Sequence, residues 1–149
     1  MDRSINHNPG AYLQELSLDP AGHELTNDLS GKAVRITYHS GHTLEQHWQS
    51  ENRILWKAVA GDLDGYEQSE IYQAFKVADD VYLITWMEAS TPANANTGQI
   101  AGPWLTTVVL DFKTMQATAS WTGPTPDGQV LHIVDQGSMK SIECDCRSE

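Results

Sequence analysis

From residue 32 onward the sequence is divided into short segments rich in Val, Ile, Thr, Tyr and Trp, with turn residues between them at close intervals. This pattern is typical of antiparallel β-structure. The predicted strands span residues 32–38, 42–49, 53–59, 70–77, 81–88, 104–112, 115–121 and 130–142, the last weakened at Asp135-Gln136-Gly137. About eight strands in one small domain must close into a barrel or stack as a sandwich, because otherwise their edges stay exposed.

The chain length allows only one such domain. It has 149 residues, of which 40% are hydrophobic, enough for one buried core and too apolar for disorder. Residues 1–30 are polar and carry only one short apolar patch. We therefore expect residues 1–30 to be an N-terminal extension that packs on the barrel, and residues 31–149 to form a single barrel domain.

Net charge and targeting signals narrow the possible partners. The formal net charge is −11, which works against binding to phosphate backbones and anionic membranes. No apolar run is long enough to span a membrane, and the first residues lack the apolar stretch of a signal peptide. We expect a cytoplasmic protein whose partner is a small-molecule ligand or substrate, not nucleic acid or a membrane, and leave a homodimer open.

Metals and cofactors are not expected. Cys144 and Cys146 are only two residues apart, a spacing that argues against a disulfide, and no nearby His or Cys completes a metal site. His42 and His47 fall on opposite faces of a predicted strand and so cannot converge on one ion. The sequence also lacks a phosphate-binding glycine loop, a Gly-x-Ser-x-Gly motif and a His-Glu-x-x-His motif.

Turn chemistry predicts which side chains face the interior. A three-residue loop at 39–41, with Gly41 in the left-handed conformation, pairs Tyr38 with His42. A two-residue turn at 113–114 places alternate apolar residues of the predicted strands 104–112 and 115–121 on one face of their hairpin. A two-residue turn at 79–80 aligns Ile71, Gln73, Phe75 and Val77 with Tyr82, Ile84, Trp86 and Glu88.

The inner face derived in this way is rich in tryptophan. Such an interior is either filled by side chains or holds a cavity for a ligand, and the sequence does not decide between them. If a cavity exists, its ligand-binding residues are Gln46, Trp56, Gln73, Tyr82, Trp86 and Trp104. Residues 89–103 are too long for a hairpin turn and are expected to border its opening.

Three polar residues are candidates for catalysis. Glu88 ends the inward series that begins at Tyr82, and a carboxyl group among aromatic rings has its pKa raised by desolvation. Tyr38 and His42 are cross-strand neighbours that could join it in proton transfer. The alternative is that Glu88 lies solvated at the rim and that the histidines belong to a surface turn.

Three segments carry a resemblance to known proteins: Gly-Lys-Ala-Val-Arg-Ile-Thr-Tyr-His-Ser-Gly-His from Gly31, Tyr-Gln-Ala-Phe-Lys-Val from Tyr72, and Val-Tyr-Leu-Ile-Thr-Trp-Met-Glu from Val81. They resemble the MoaF-like proteins and their relatives, the phenolic acid decarboxylases. Both groups are lipocalin-like calycin barrels, so the resemblance implies an all-β, antiparallel calycin barrel of about eight strands.

By this resemblance, Tyr38 would bind a substrate carboxylate and Glu88 would transfer a proton. The decarboxylases carry a second tyrosine where this chain has Ile36, and their Gly-Arg-Trp segment has no counterpart here. These departures argue against a hydroxycinnamate decarboxylase. We favour a cofactor-independent lyase, or a related enzyme, that uses acid–base catalysis on a small aromatic or apolar substrate. The alternative is a non-catalytic, lipocalin-like binding protein, and a barrel filled by side chains would indicate an interaction subunit instead.

Overall fold

The computed structural model describes residues 18, 21–88, 92–94, 99–100 and 103–146, with only the backbone of 92–94 and 99–100. Within these residues all regular structure is β-strand. The strands are β1 (Glu24–Leu25), β2 (Ala33–Tyr38), β3 (Thr43–Trp48), β4 (Arg53–Ala60), β5 (Glu67–Ala78), β6 (Val81–Glu88), β7 (Pro92–Asn94), β8 (Gln99–Ile100), β9 (Trp104–Asp111), β10 (Gln116–Pro124) and β11 (Val130–Ile142).

Eight antiparallel strands close into a barrel. Their order is β5-β4-β3-β2-β11-β10-β9-β6, and β6 pairs with β5 to complete the ring. β1 pairs with β5 outside the ring, and β7 pairs only with β8. Closure leaves the ring without a terminal strand, which is how a small all-β domain avoids long exposed edges. The predicted all-β barrel is confirmed.

One end of the barrel is closed by the core. The fully buried core residues include Leu29, Trp48, Ile54 and Leu110. The Tyr82 hydroxyl donates a hydrogen bond of 3.0 Å to Asp28, just before Leu29. Residues 21–30 of the predicted extension therefore contribute β1 and a core residue, while the other residues of that segment, apart from Leu18, lie outside the described part of the chain. The domain division stays a prediction.

The first hairpin has the predicted register. Arg35 pairs with Glu45, Thr37 pairs with Thr43, and the Tyr38 N–H donates to the His42 carbonyl over 2.8 Å. Gly41 has φ 97°, the left-handed conformation that the three-residue loop requires. The β9–β10 hairpin also keeps its predicted alignment, with Asp111 opposite Gln116, although its loop spans residues 112–115.

The predicted register of the β5–β6 hairpin is wrong. Ala78 pairs with Val81 as expected, but an irregularity between Lys76 and Ala78 moves the following pairs by one residue, so that Lys76 lies opposite Tyr82. A bulge of this kind adds one residue to one strand and exchanges its inner and outer faces. Tyr72 and Ala74 are buried inside as a result. Gln73 instead lies on the opposite face of β5, which corrects its assignment to the interior.

β11 runs without a break through the segment that was expected to interrupt it. Residues 135–137 pair with β10, and Gly137 also pairs with Tyr38 of β2. A Cβ atom at Gly137 would overlap the Thr37 carbonyl oxygen and lie 2.8 Å from the Thr37 carbonyl carbon. The glycine therefore permits close approach of two strands and does not mark a turn.

The outer face of β3 is covered by the C-terminal segment. The backbone N–H of Asp145 donates to His47 Nδ1 over 2.8 Å, so His47 donates from Nε2 to Glu45 Oε1, also over 2.8 Å. Arg35 donates to the other oxygen of Glu45, and Lys57 forms an ion pair with Asp145. This network explains why Glu45 and His47 are buried although they face away from the barrel interior.

Cys144 and Cys146 of that segment form a disulfide, contrary to the expectation from their spacing. Their Cα atoms are 5.2 Å apart, within the range of roughly 4.4–6.8 Å that disulfides require. A fully extended chain would separate residues two apart by roughly 6.6–7.2 Å, so the backbone at residues 144–146 is less extended than a strand. The pair lies against the backbone carbonyl of Trp48, at the end of β3.

Replacing Glu45 by Gln should lower the free energy of unfolding at neutral pH by about 1–2 kcal/mol, because it removes charge-assisted hydrogen bonds. Burial acts to raise the pKa of Glu45, but hydrogen bonds from His47 and Arg35 outweigh it and hold the pKa below its usual value. A depressed pKa in the folded state stabilises the fold above the unfolded pKa, and this contribution is lost as the pH falls through the folded pKa.

The stability difference between the wild type and Glu45→Gln should therefore shrink in acid, which urea denaturation at neutral and acidic pH measures. Glu51→Gln, in the exposed β3–β4 turn, is the matched control and should have little effect. An equal loss of stability for both variants, or a difference independent of pH, would contradict the prediction.

Among the residues that the structure describes, no helix is long and apolar enough to cross a membrane.

Candidate functional site

The barrel holds a cavity of about 600 Å³ at the end opposite Leu29. This volume lies within the range of roughly 300–1,000 Å³ typical of small-molecule sites. The described residues that line it are Tyr38, His39, Ser40, His42, Leu44, Gln46, Trp56, Asp62, Leu63, Trp86, Glu88, Trp104, Thr106, Val108, Trp121, Ile133, Val134 and Asp135. The sequence left open whether the interior is filled, and the structure contains a cavity.

Strand alternation carries most of the predicted ligand-binding residues to this cavity. Gln46, Trp56, Trp86 and Trp104 all line it. Trp104 lies directly against Gly123 of the neighbouring strand, where a Cβ atom would overlap the indole ring. The absence of a side chain at Gly123 therefore makes room for the Trp104 ring beside the cavity.

Two predicted ligand-binding residues do not reach the cavity. Gln73 is turned to the outer face by the bulge in the β5–β6 hairpin. Tyr82 shares the inner face with Trp86 and Glu88, but it lies at the other end of β6, where its hydroxyl is bound by Asp28. The alternation of side chains along a strand predicts which residues face the interior. Their position along the barrel axis then decides which of these residues border the cavity.

Glu88 is buried in the cavity wall, with 6% of its surface exposed. Its Oε2 atom accepts a hydrogen bond of 2.7 Å from the Thr106 hydroxyl and one of 3.1 Å from Trp86 Nε1. These two donors lie on the same strand and on the neighbouring strand β9, and they hold the carboxyl group in place. The structure thus positions Glu88 at the end of the inward series, not solvated at the rim.

Tyr38 lines the same cavity from β2. Its ring lies edge-on to Trp121, with the ring centroids 5.2 Å apart. Burial raises the pKa of the Tyr38 phenol well above its usual value, and the nearby Asp135 adds to the shift. The phenol is therefore protonated at neutral pH and can donate a hydrogen bond.

Three polar atoms in the cavity wall have no hydrogen-bond partner among the described residues. They are the Tyr38 hydroxyl oxygen, Gln46 Oε1 and Trp56 Nε1. Their residues are 2%, 2% and 4% exposed, respectively. A buried polar group without a partner costs roughly 1–3 kcal/mol, so such groups are expected to meet water or a ligand.

The cavity mouth contains His42 and Asp135. His42 packs against Gly61, which has φ 103° and where a Cβ atom would overlap the imidazole ring. Burial acts to raise the pKa of Asp135, but hydrogen bonds from Ser40 and from the Gln136 N–H outweigh it, so the pKa lies below its usual value. Asp135 is therefore negatively charged at neutral pH.

Sequence reasoning missed several residues of this site. Asp135 was assigned to a break in β11, and Trp121 was placed on the inner face without a role. Glu70, which is 1% exposed and is not among the residues that line the cavity, became an inner residue only through the bulge in β5. Burial raises the pKa of Tyr66, and the carboxyl groups of Glu70 and Glu88 add to the shift.

The predicted border formed by residues 89–103 falls largely outside the described residues, so its relation to the cavity stays a prediction. In the described ranges, no group of three or more His, Cys, Asp or Glu side chains is placed to hold a metal ion. His42 faces the cavity, while His47 is bound on the outer face of β3.

Several solved structures match this chain, and one of them is a crystal structure. It is described as "a putative beta-lactamase from Burkholderia vietnamiensis" and is 19% identical to this chain, with a TM-score of 0.57. The match covers 77% of this chain and 96% of the other. At this identity the likeness shows the fold alone. No curated protein shows significant similarity to the chain.

The family comparison agrees with the barrel and with the resemblance read from the sequence. The model of the MoaF C-terminal domain matches residues 23–144, which include β1 and every strand of the ring. The chain therefore belongs to the MoaF C-terminal domain family.

Proposed function

We propose that the barrel cavity binds a small organic molecule with an aromatic or apolar body, and that Glu88 exchanges a proton with this molecule. The observation that carries the proposal is the cavity of about 600 Å³, walled by tryptophan rings and containing a buried carboxyl group. A mostly apolar cavity with a few convergent polar groups is the common form of a small-molecule site.

The aromatic wall favours binding. The rings of Trp56, Trp86, Trp104 and Trp121 offer large apolar surfaces. Tyr38 and Trp56 add polar atoms that have no partner among the residues the structure describes. A ligand that covers these rings gains free energy in proportion to the apolar area removed from water. A ligand that also bonds Tyr38 or Gln46 relieves the cost of their buried polar atoms.

The position of Glu88 favours proton transfer. A general acid or base must be held within reach of the bound molecule, and Thr106 and Trp86 fix the Glu88 carboxyl group in the cavity wall. Desolvation disfavours the charged form of a carboxyl group, which is the setting in which carboxylic acids serve as proton donors near neutral pH. Tyr38 supplies a protonated phenol to orient the ligand.

Filling the cavity tests the binding step. The neutral dye N-phenylnaphthylamine should bind the wild-type chain with a saturable rise in fluorescence. Leu44→Phe should weaken this binding by at least about tenfold, because the larger ring occupies the space that the ligand needs.

Leu83→Phe is the matched control, since Leu83 lies on the outer face of β6 beside the inner residues Tyr82 and Ile84. It should leave dye binding unchanged. A wild-type chain that does not bind the dye, or equal affinity in the wild type and Leu44→Phe, would overturn the proposed cavity site.

The alternative, a binding protein without catalysis, uses the same cavity and differs only in the role of Glu88. A cytoplasmic location stays a prediction as well. The Cys144–Cys146 disulfide weighs against it, because disulfides persist mainly in oxidising compartments.

A further inference from the structure

We infer that the ligand of this cavity is an organic cation, an amine or ammonium group on an aromatic or apolar body. This inference rests on the proposed function and specifies its ligand class. It follows from three features of the cavity wall: the sign of its charged residues, its aromatic faces and its buried polar atoms without partners.

Carboxyl groups are the main ionisable side chains around the cavity, and Asp135 supplies negative charge whether Glu88 is protonated or not. Asp62, Glu88 and Asp135 line it, and none of the described lining residues is Lys or Arg. Asp135 is ionised at neutral pH, since hydrogen bonds hold its pKa below the usual value. An anionic ligand would enter this field against repulsion, whereas a cation would gain from it.

The aromatic faces favour the same charge. The negative face of an indole ring attracts a cation, and tryptophan is the strongest partner of this kind. Four tryptophans, at positions 56, 86, 104 and 121, surround the cavity. A cage of aromatic rings with carboxylates at its edge is the chemistry that recognises ammonium groups.

Buried polar atoms that have no partner among the described residues support a ligand in this cavity independently of its acidic groups. Gln46 Oε1 can accept a hydrogen bond from an ammonium N–H, and it is 98% buried, as its residue is 2% exposed. The Tyr38 hydroxyl can accept one as well. The acceptors are thus inside the cavity, while the charge of Asp135 is at its mouth.

Three probes with the same phenylbutyl body test the charge preference: phenylbutylamine, phenylbutanol and phenylbutanoate, titrated calorimetrically into the full chain at neutral pH. The amine should bind at least about tenfold more tightly than the alcohol, and the carboxylate should bind weakest. Equal affinity for amine and alcohol, or tightest binding of the carboxylate, would overturn the cation inference and leave the cavity site standing. Failure of all three probes to bind would overturn the proposed function itself.

Two charge variants test whether Asp135 is the source of the preference for the amine. Asp135→Asn should lower the affinity for the amine several-fold without changing the affinity for the alcohol. Asp79→Asn, in the exposed turn between β5 and β6, makes the same change in net charge far from the cavity and should not alter either affinity. If Asp79→Asn weakens the amine as much as Asp135→Asn does, the effect comes from net charge, and the inference is wrong.

Discussion

The Glu88→Gln variant should retain the fold and bind ligand within a few-fold of the wild type, while its turnover falls by about 10²–10⁴-fold. The amide keeps an oxygen that can accept from Thr106 and Trp86, so the carboxyl group's two hydrogen bonds are preserved. What is lost is the exchangeable proton. The measurement is kcat on a small aromatic compound that the wild-type chain converts, found by mass spectrometry across a panel of such compounds.

Asp79→Asn, which also exchanges one carboxylate for an amide, is the control and should keep full turnover. A Gln variant with full turnover would assign Glu88 a purely structural role as acceptor for Trp86 and Thr106. Binding without turnover of any panel compound by the wild type would favour the non-catalytic alternative. These outcomes separate the role of Glu88 from that of the cavity.

The sequence was sufficient for the barrel and for one wall of the cavity. Gly41 fixed the loop of the first hairpin, so the inward positions of Tyr38 and Gln46 followed from simple alternation. The alternation from Tyr82 to Glu88 was less clear, because Leu83 and Met87 on the other face are also apolar, but every second residue is buried as predicted. In both cases local sequence, a turn residue or an uninterrupted strand, was enough to predict which side chains face the barrel interior.

The opposite wall could not be predicted in the same way. Both faces of β5 carry apolar side chains, so hydrophobicity did not reveal the bulge between Lys76 and Ala78. One extra residue there exchanged Gln73 for Tyr72 in the interior and turned Glu70 inward. Whether the ring leaves a cavity depends on how eight strands stack their side chains, a property of the whole barrel and of no single segment.

Asp135 shows a related failure. Asp-Gln-Gly has the composition of a turn, but β10 holds residues 135–137 in an extended ladder, and β2 joins that ladder at Gly137. Gly137 is needed there because β2 passes close to it. The extended conformation of residues 135–137 depends on tertiary packing, which cannot be predicted from the local sequence pattern.

Gly137→Ala should therefore strongly destabilise this barrel. Its Cβ atom would overlap the Thr37 carbonyl oxygen and lie 2.9 Å from the Tyr38 Cα atom, so backbone and not a flexible side chain must move. We expect a loss of about 3 kcal/mol in the free energy of unfolding, the upper part of the range for overpacking. Because Gly137 pairs with Tyr38, displacement of β2 should also move the Tyr38 phenol and weaken ligand binding.

Thermal denaturation and dye titration measure the two effects. The melting temperature should fall by roughly 6–12 °C for a chain of this length. Ser138→Ala is the matched control, since Ser138 is exposed on the adjacent position of β11 and its change adds no atoms near β2. Wild-type stability in Gly137→Ala would mean that β2 can shift freely without cost. Wild-type dye affinity together with the lost stability would mean that Tyr38 keeps its place in the cavity wall by contacts other than its pairing with β11, of which the ring contact with Trp121 is the strongest candidate.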